Sequence, residues 1–283
     1  MLFNDAYKKI INILNKPFIE EPNIEARLIL QHIKKIDTCE IIANRNKIKI
    51  NKSEFRQINK IIKKRLAGKS LSSILKIKSF YEYDFFVNEN VLIPRPETEL
   101  LIDIAVKKFN KNENINILDI GTGSGNIAIV LAKYYTNAKI DAVDINKKSL
   151  NTAKINIIKN NIRKNQINFI KKDIFKYKLN KSYNIIISNP PYIETIEVLN
   201  LINKKQISDP IIALDGGGDG LKFYRKLKDT ALHNLTKDGW MIFEHGINQR
   251  KKILKIFNKD FFILECYNDL AGIDRAIALK LRG

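Results

Sequence analysis

The chain has little from which to build a disulfide or metal framework. Its 283 residues include only two cysteines and three histidines. Cys39 and Cys266 lie far apart, and His32, His233 and His245 are scattered. Neither a disulfide set nor zinc-ligand spacing results, and no metal is expected. Long apolar runs are also missing, and no stretch approaches the length of a membrane span. The opening MLFNDAYKKIINILNK is interrupted by Asp5, Lys8 and Lys9, which excludes the unbroken apolar segment of a signal peptide. These absences predict a cytoplasmic protein with no membrane partner. Glycine (12) and proline (7) are too few for a collagen-like or low-complexity chain, and no internal repeat is visible.

Positive charge is in excess. Fifty Lys and Arg against thirty Asp and Glu give +20. Such a balance favours contact with nucleic acid or another polyanion. It has a competing cause, because stretches such as NKKSLNTAKINIIKNNIRKNQ are crowded with Lys, Asn and Ile, the residues of A/T-rich codons. The charge is spread along the chain rather than gathered in a patch, so it does not select a partner by itself. With 45% apolar residues, the chain can fill one large core or two modest ones.

The hydrophobic period changes along the chain. AYKKIINIL places Ile10, Ile11 and Leu14 on one stripe, and IEARLILQHI and SEFRQINKIIKKRL repeat that spacing, with Gly68 as a helix stop. SFYEYDFFVNENVLI is aromatic and partly alternating, and reads as a β-hairpin turning at Asn-Glu-Asn. From Thr98 onward, helical and strand patterns alternate through INILDI, KIDAVDI, INFIKKDIF, YNIIIS and WMIFEHG to a strand pair, FFILECYN and RAIALKL. That alternation predicts an α/β domain with a mostly parallel sheet. The expected layout is a helical domain over 1–75, a hairpin connector over 76–96 and an α/β domain over 97–283.

LDIGTGSGN sits where a strand becomes a helix. Gly121, Gly123 and Gly125 allow a tight turn and a close ligand approach. A dinucleotide site wants G-x-G-x-x-G, and the third glycine position is Asn126, so the loop suits a smaller nucleoside ligand; a purely structural turn is the alternative. Asp144 ends the next strand, where a carboxylate can accept from ribose hydroxyls or cap the following helix. Asp173 and Ile174 end the third, where an acid can accept from an adenine amino group and an apolar neighbour can cover the ring. Together, Gly121, Thr122, Gly123, Ser124, Gly125, Asp144, Asp173 and Ile174 predict an adenosine-containing cofactor.

The fourth strand runs into Asn189-Pro190-Pro191-Tyr192. Two prolines make a stiff, donor-poor turn. The turn resembles that of class I S-adenosylmethionine-dependent methyltransferases acting on planar amide or amino nitrogens, and the resemblance implies the following chemistry: a planar –NH2 is a poor nucleophile because its lone pair is delocalised. The Asn189 oxygen can accept one of its hydrogens and the Pro190 carbonyl the other, which aims the nitrogen. The Tyr192 ring can lie against the flat amide or base. No strong general base is needed, because the proton becomes acidic only once the methyl is attached. The motif does not name the nitrogen: an adenine amino group in DNA, a guanine amino group in ribosomal RNA and a glutamine amide all suit it.

This arrangement resembles the class I S-adenosylmethionine-dependent methyltransferases over about 97–283. The segment IPRPETE, with LDIGTGSGNIAI, AVDIN, SNPPYI, ALDGGGDGL, FEHG and AGIDRA in that order, resembles the protein-(glutamine-N5) methyltransferases of peptide chain release factors over nearly the whole chain. A sister family acting on a ribosomal-protein glutamine has a serine after the arginine, whereas here Pro96 follows Arg95. The resemblance implies a Rossmann-like domain with a seven-stranded, mostly parallel sheet and S-adenosylmethionine as methyl donor. It implies the glutamine of the Gly-Gly-Gln loop of class 1 release factors as acceptor, without nucleic acid, and we expect a monomer. Cofactor binding then falls on Gly121 to Gly125, Asp144, Asp173, Ile174 and Asn189. Acceptor binding falls on Asn189, Pro190, Pro191 and Tyr192, with Asn189, Pro190 and Tyr192 catalytic. Arg95 and Glu97 read equally well as a structural ion pair or as site residues. The sequence departs from the family at Gly68–Ser70, where Gly-x-Pro is usual, at Lys76, where a glycine is usual, and at Asp209-Pro210, where Glu-Pro is usual. Rival readings are an amino-group methyltransferase of DNA or RNA, and a decayed relative that only binds RNA or a translation factor.

Overall fold

A computed structural model describes residues 1–44, 46–204, 209–257 and 261–281. The chain divides into two compact units, Met1–Lys76 and Ile77–Gly283.

The first unit is helical: α1 (Phe3–Leu14), α2 (Pro22–Lys34), α3 (Thr38–Asn44), α4 (Lys52–Leu66) and α5 (Leu71–Leu75). In α1 the buried stripe is Phe3, Ala6, Ile10 and Leu14, one residue per turn, with Ile11 half-buried beside it. Asn51 and Glu54 close a reciprocal capping box on α4, with Glu54 N–H donating to Asn51 at 2.9 Å and Asn51 N–H to Glu54 at 2.8 Å. Such a cap stabilises a helix by about 1 kcal/mol. Arg65 of α4 forks onto Glu25 of α2 at 2.8 and 3.0 Å. Just past α4, Gly68 adopts φ +89°.

The second unit opens with a hairpin, β1 (Ile77–Phe80) and β2 (Tyr83–Phe86). The chain reverses at Tyr81 and Glu82, not at Asn88-Glu89-Asn90 as the sequence suggested. Tyr81 takes the left-handed backbone (φ 55°) and is held there by Glu99, which accepts from its N–H at 2.6 Å, and by Asp103, which accepts from its hydroxyl at 3.0 Å. Asn88 instead forms a separate local turn, accepting from Asn90 N–H at 2.9 Å.

A turn of 3₁₀ helix (Pro96–Thr98) leads into α6 (Glu99–Ala105), then β3 (Asn116–Ile120), α7 (Asn126–Tyr134), β4 (Lys139–Asp144), α8 (Lys147–Lys159), β5 (Ile167–Lys171), β6 (Tyr183–Ser188), α9 (Thr195–Asn203), α10 (Lys222–Asn234), β7 (Leu235–Glu244), α11 (Arg250–Phe257), β8 (Phe261–Asn268) and β9 (Asp274–Leu281). The sheet order is β5-β4-β3-β6-β7-β9-β8. Only β9 runs against the others.

Strand side chains alternate between two cores. Ile117, Ile185 and Ile187 pack with α6, α7 and the hairpin residues Phe80 and Phe85. Leu118, Ile120 and Ile186 pack with Tyr224, Leu227 and Ala231 of α10 and Ile253 and Phe257 of α11. Both faces are therefore covered, and central strands such as NIIIS read as continuous apolar runs. Each such side chain contributes roughly 1.5–3 kcal/mol of burial. The chain leaves β3 for β4 and β5 on one side and returns to β6 on the other. That switch point lies at the carboxyl ends of β3 and β6, where open sheets of this kind bind ligands.

Candidate active site

Three strand ends and the Asn-Pro-Pro-Tyr turn converge at the switch point. Gly121, Gly123, Asp144, Asp173, Ile174, Asn189, Pro190 and Pro191 all line one cavity of about 540 Å³. Thr122, Ser124 and Gly125 do not line it; they brace the loop from within. Thr122, almost fully buried, donates to Asp119 at 2.6 Å, and Ser124 to Asn126 at 3.2 Å. Gly125 has φ +80°, and a Cβ there would lie 3.0 Å from the Cβ of Ala153 on α8. The third glycine of G-x-G-x-G thus permits the close helix approach that the dinucleotide pattern assigns to a later position.

Backbone amides donate to both oxygens of Asp144. Gly123 N–H gives to one oxygen at 2.9 Å and Asn146 N–H to the other at 2.8 Å. The cap of α8 is Asn146, whose side chain accepts from Lys148 N–H. Asp144 is therefore free of capping duty, and it lines the cavity. Burial raises its carboxyl above the ordinary range, against the Asn146, Gly123 and Ile145 amides that favour the charge. Beneath the loop, burial pushes the enclosed Asp119 up to about 7, in spite of the Thr122 hydroxyl and with Asp144 adding repulsion.

At the third strand end, Asp173 accepts from Phe175 N–H at 3.0 Å. Sequence reading missed the aromatic wall beside it. Phe175 meets Phe223 edge-on at 5.1 Å, and Lys222 Nζ lies 4.8 Å from the Phe175 ring centre. Phe223 stands at the start of α10, far along the chain from Phe175, and no local pattern joins them.

The Asn-Pro-Pro-Tyr turn is fixed from several sides. Ser188 donates to the Ile120 carbonyl at 2.7 Å, tying β6 to β3. Asn189 Nδ2 donates to Thr98 Oγ1 at 2.9 Å, and Thr98 donates to Glu244 Oε2 at 2.6 Å. The Tyr192 hydroxyl donates to Glu244 Oε1 at 3.2 Å. Gln249 donates to the Tyr192 carbonyl at 2.8 Å. The glycine-rich segment after Leu214 packs against the same turn: a Cβ at Gly216 would lie 2.8 Å from Tyr192 Cα, and one at Gly220 (φ +69°) 2.6 Å from the Tyr192 carbonyl oxygen. Burial raises Glu244 to about 7 and pushes the Tyr192 phenol above its ordinary value.

Asn189 and Pro190 also line a second, smaller cavity of about 170 Å³ with Leu92, Arg95, Tyr192 and Leu214. Leu92, Asn189, Pro190 and Ala213 line both spaces. Arg95 pairs with Asp209, whose other oxygen accepts from Ile93 N–H at 3.2 Å. The ion pair and a place at the cavity therefore coexist in Arg95. Glu97 acts on the site through its charge, which pushes Glu244 up.

Residues 97–257 match the family model described as the methyltransferase small domain, and residues 5–75 that of the PrmC N-terminal domain. A release factor glutamine methyltransferase from Buchnera aphidicola subsp. Schizaphis graminum is 36% identical over 277 residues, spanning 97% of this chain and 98% of that protein. The chain belongs to the release factor glutamine methyltransferase family. Another relative of that name, from Flavobacterium psychrophilum, is 33% identical over 290 residues, spanning 100% of both. A solved methyltransferase from Pyrococcus furiosus aligns with a TM-score of 0.51 at 18% identity, over 80% of this chain and 97% of that one, which is a likeness of fold.

Proposed function

We propose that this protein transfers a methyl group from S-adenosylmethionine to the side-chain amide nitrogen of the glutamine in the Gly-Gly-Gln loop of class 1 release factors. One observation carries the proposal: Asn189 and Pro190 line both a nucleoside-sized cavity and a smaller one beside it, so a donor in the first and an acceptor in the second can meet at them.

The residues present fit the cofactor. Gly121 has open space where a Cβ would stand, so the backbone can come close to a ligand. Asp144 suits ribose hydroxyls, and Asp173, Ile174 and Phe175 suit a purine. When bound, S-adenosylmethionine supplies an electrophilic methyl on a positively charged sulfur. Asn189 Oδ1 and the Pro190 carbonyl accept the two hydrogens of the acceptor amide and aim its nitrogen, work for orientation rather than for a strong base. Tyr192, its hydroxyl tied to Glu244, offers its ring to the flat amide. Beneath the turn, Thr98 and Glu244 are buried away from water.

The test is methyl transfer from labelled S-adenosylmethionine to a purified release factor, to the same factor with its Gly-Gly-Gln glutamine changed to alanine, and to total nucleic acid. Label on the intact factor alone is expected. Label on nucleic acid would overturn the acceptor, and no label with no cofactor binding would leave a binding module.

A further inference from the structure

An asparagine amide is nearly symmetric in shape. Turned by half a rotation, it presents –NH2 where it had presented oxygen. If Asn189 is to accept a hydrogen from an acceptor amide, as the proposed methyl transfer requires, something must choose between the two orientations.

Thr98 alone does not choose, because a hydroxyl can donate or accept. Its proton, however, is already given to Glu244 Oε2 at 2.6 Å. Thr98 and Glu244 are each 2% exposed, so water does not compete. At a pH above about 7, where the raised Glu244 carboxyl is ionised, it only accepts. The Thr98 oxygen can then offer Asn189 nothing but a lone pair, and the –NH2 end fits it at 2.9 Å. The reversed amide would set oxygen against oxygen. The second oxygen of the same carboxylate accepts from the Tyr192 hydroxyl at 3.2 Å, so one buried charge orders both polar side chains of the turn.

We propose that Thr98 and Glu244 are positioning residues: they set the Asn189 amide with its oxygen toward the acceptor nitrogen. The inference builds on the methyl-transfer reading above. Thr98 lies in IPRPETE and Glu244 in FEHG, 146 residues apart, and the hydrogen-bond chain gives those two segments a chemical task beside the turn.

The experiment compares the full chain with Thr98→Val, which keeps shape and removes the hydroxyl, and Thr98→Ser, which restores it. Thr98→Ala provides the same loss without added bulk should valine prevent folding. Cofactor affinity by calorimetry shows that each variant is folded. At saturating cofactor and a pH well above 7, where Glu244 is ionised, Thr98→Val is expected to lower kcat on a release factor by about 10- to 100-fold, and Thr98→Ser to return most of it. A second readout needs no acceptor. With asparagine labelled selectively by nitrogen-15, the Asn189 side-chain –NH2 signal, assigned by its loss in Asn189→Asp, should shift in Thr98→Val and stay in Thr98→Ser. If wild type labels the release factor and Thr98→Val keeps kcat within about twofold, the inference fails. An unmoved –NH2 signal in Thr98→Val also overturns it. A shifted signal in a protein that labels no release factor supports the orientation and rejects the acceptor.

Discussion

Glu244 carries a carboxylate in a place where charge is costly, and its cost can be measured. The Thr98 and Tyr192 hydroxyls donate to it, Arg275 attracts it and Glu97 repels it, while the Tyr224 hydroxyl donates to its backbone carbonyl. Burial outweighs the favourable groups and raises the carboxyl from 4.5 to about 7. The native state then holds this proton more tightly than the unfolded chain does. Glu244 therefore favours folding most at pH below about 4.5, and that advantage is lost as pH rises through about 7. Between pH 5 and 8 the loss is about 2 to 3 kcal/mol, because one pKa unit is worth about 1.4 kcal/mol. Asp119, also raised to about 7, titrates in the same window, so the wild-type pH profile contains both. Glu244→Gln isolates one of them: the difference in unfolding free energy between variant and wild type should move by about 2 to 3 kcal/mol in favour of the variant from pH 5 to pH 8. Urea unfolding followed by Trp240 is a suitable assay, since this single tryptophan lies on the same strand as Glu244. A difference constant to within about 1 kcal/mol across that range would refute the assignment of a raised, burial-driven carboxyl.

Three further outcomes follow from the site. Asn189→Ala should lower methyl transfer by about a hundredfold or more while cofactor affinity by calorimetry changes by less than about threefold. Asp144→Ala should weaken cofactor binding by about tenfold or more, since it removes the cavity-lining carboxylate and frees Gly123; unchanged affinity would make Asp144 a loop brace only. Gly220→Ala should cost about 1 to 3 kcal/mol in chemical denaturation and depress kcat, because a Cβ there meets the Tyr192 carbonyl and Gln249.

The fold was legible in the sequence where local chemistry and tertiary packing agreed. β3, β4 and β6 are apolar runs that end in Gly121, Asp144 and Asn189, and the sheet brings those ends to one cavity. The hairpin was recognisable from its aromatic alternation, but its turn was not. A tyrosine in left-handed backbone is held by Glu99 and Asp103 of a helix that follows later, while Asn-Glu-Asn carries the stronger local turn signal. Two helices escaped notice. In α9, Ile196 and Leu199 face outward and only Val198 is buried, so the apolar pattern does not mark a core face. In α11, eight residues rich in lysine bury just Ile253 and Phe257. The chain of hydrogen bonds through Thr98 and Glu244 had no sequence signal at all, because a buried carboxylate 146 residues away has no spacing to read.

The Asn-Pro-Pro-Tyr turn is backed by main chain. Gly216 N–H donates to the Ile193 carbonyl at 2.8 Å and Ile193 N–H to the Leu214 carbonyl at 3.0 Å, and Gly220 leaves no room for a Cβ beside the Tyr192 carbonyl. Contacts of that sort have no side chain to exchange. In a chain whose polar positions have gone so largely to lysine and asparagine, compositional drift can rewrite the exterior and leave this scaffold unaltered. The corollary is intolerance at a few points: at Gly216 and Gly220 even a methyl group must displace the backbone that carries Tyr192.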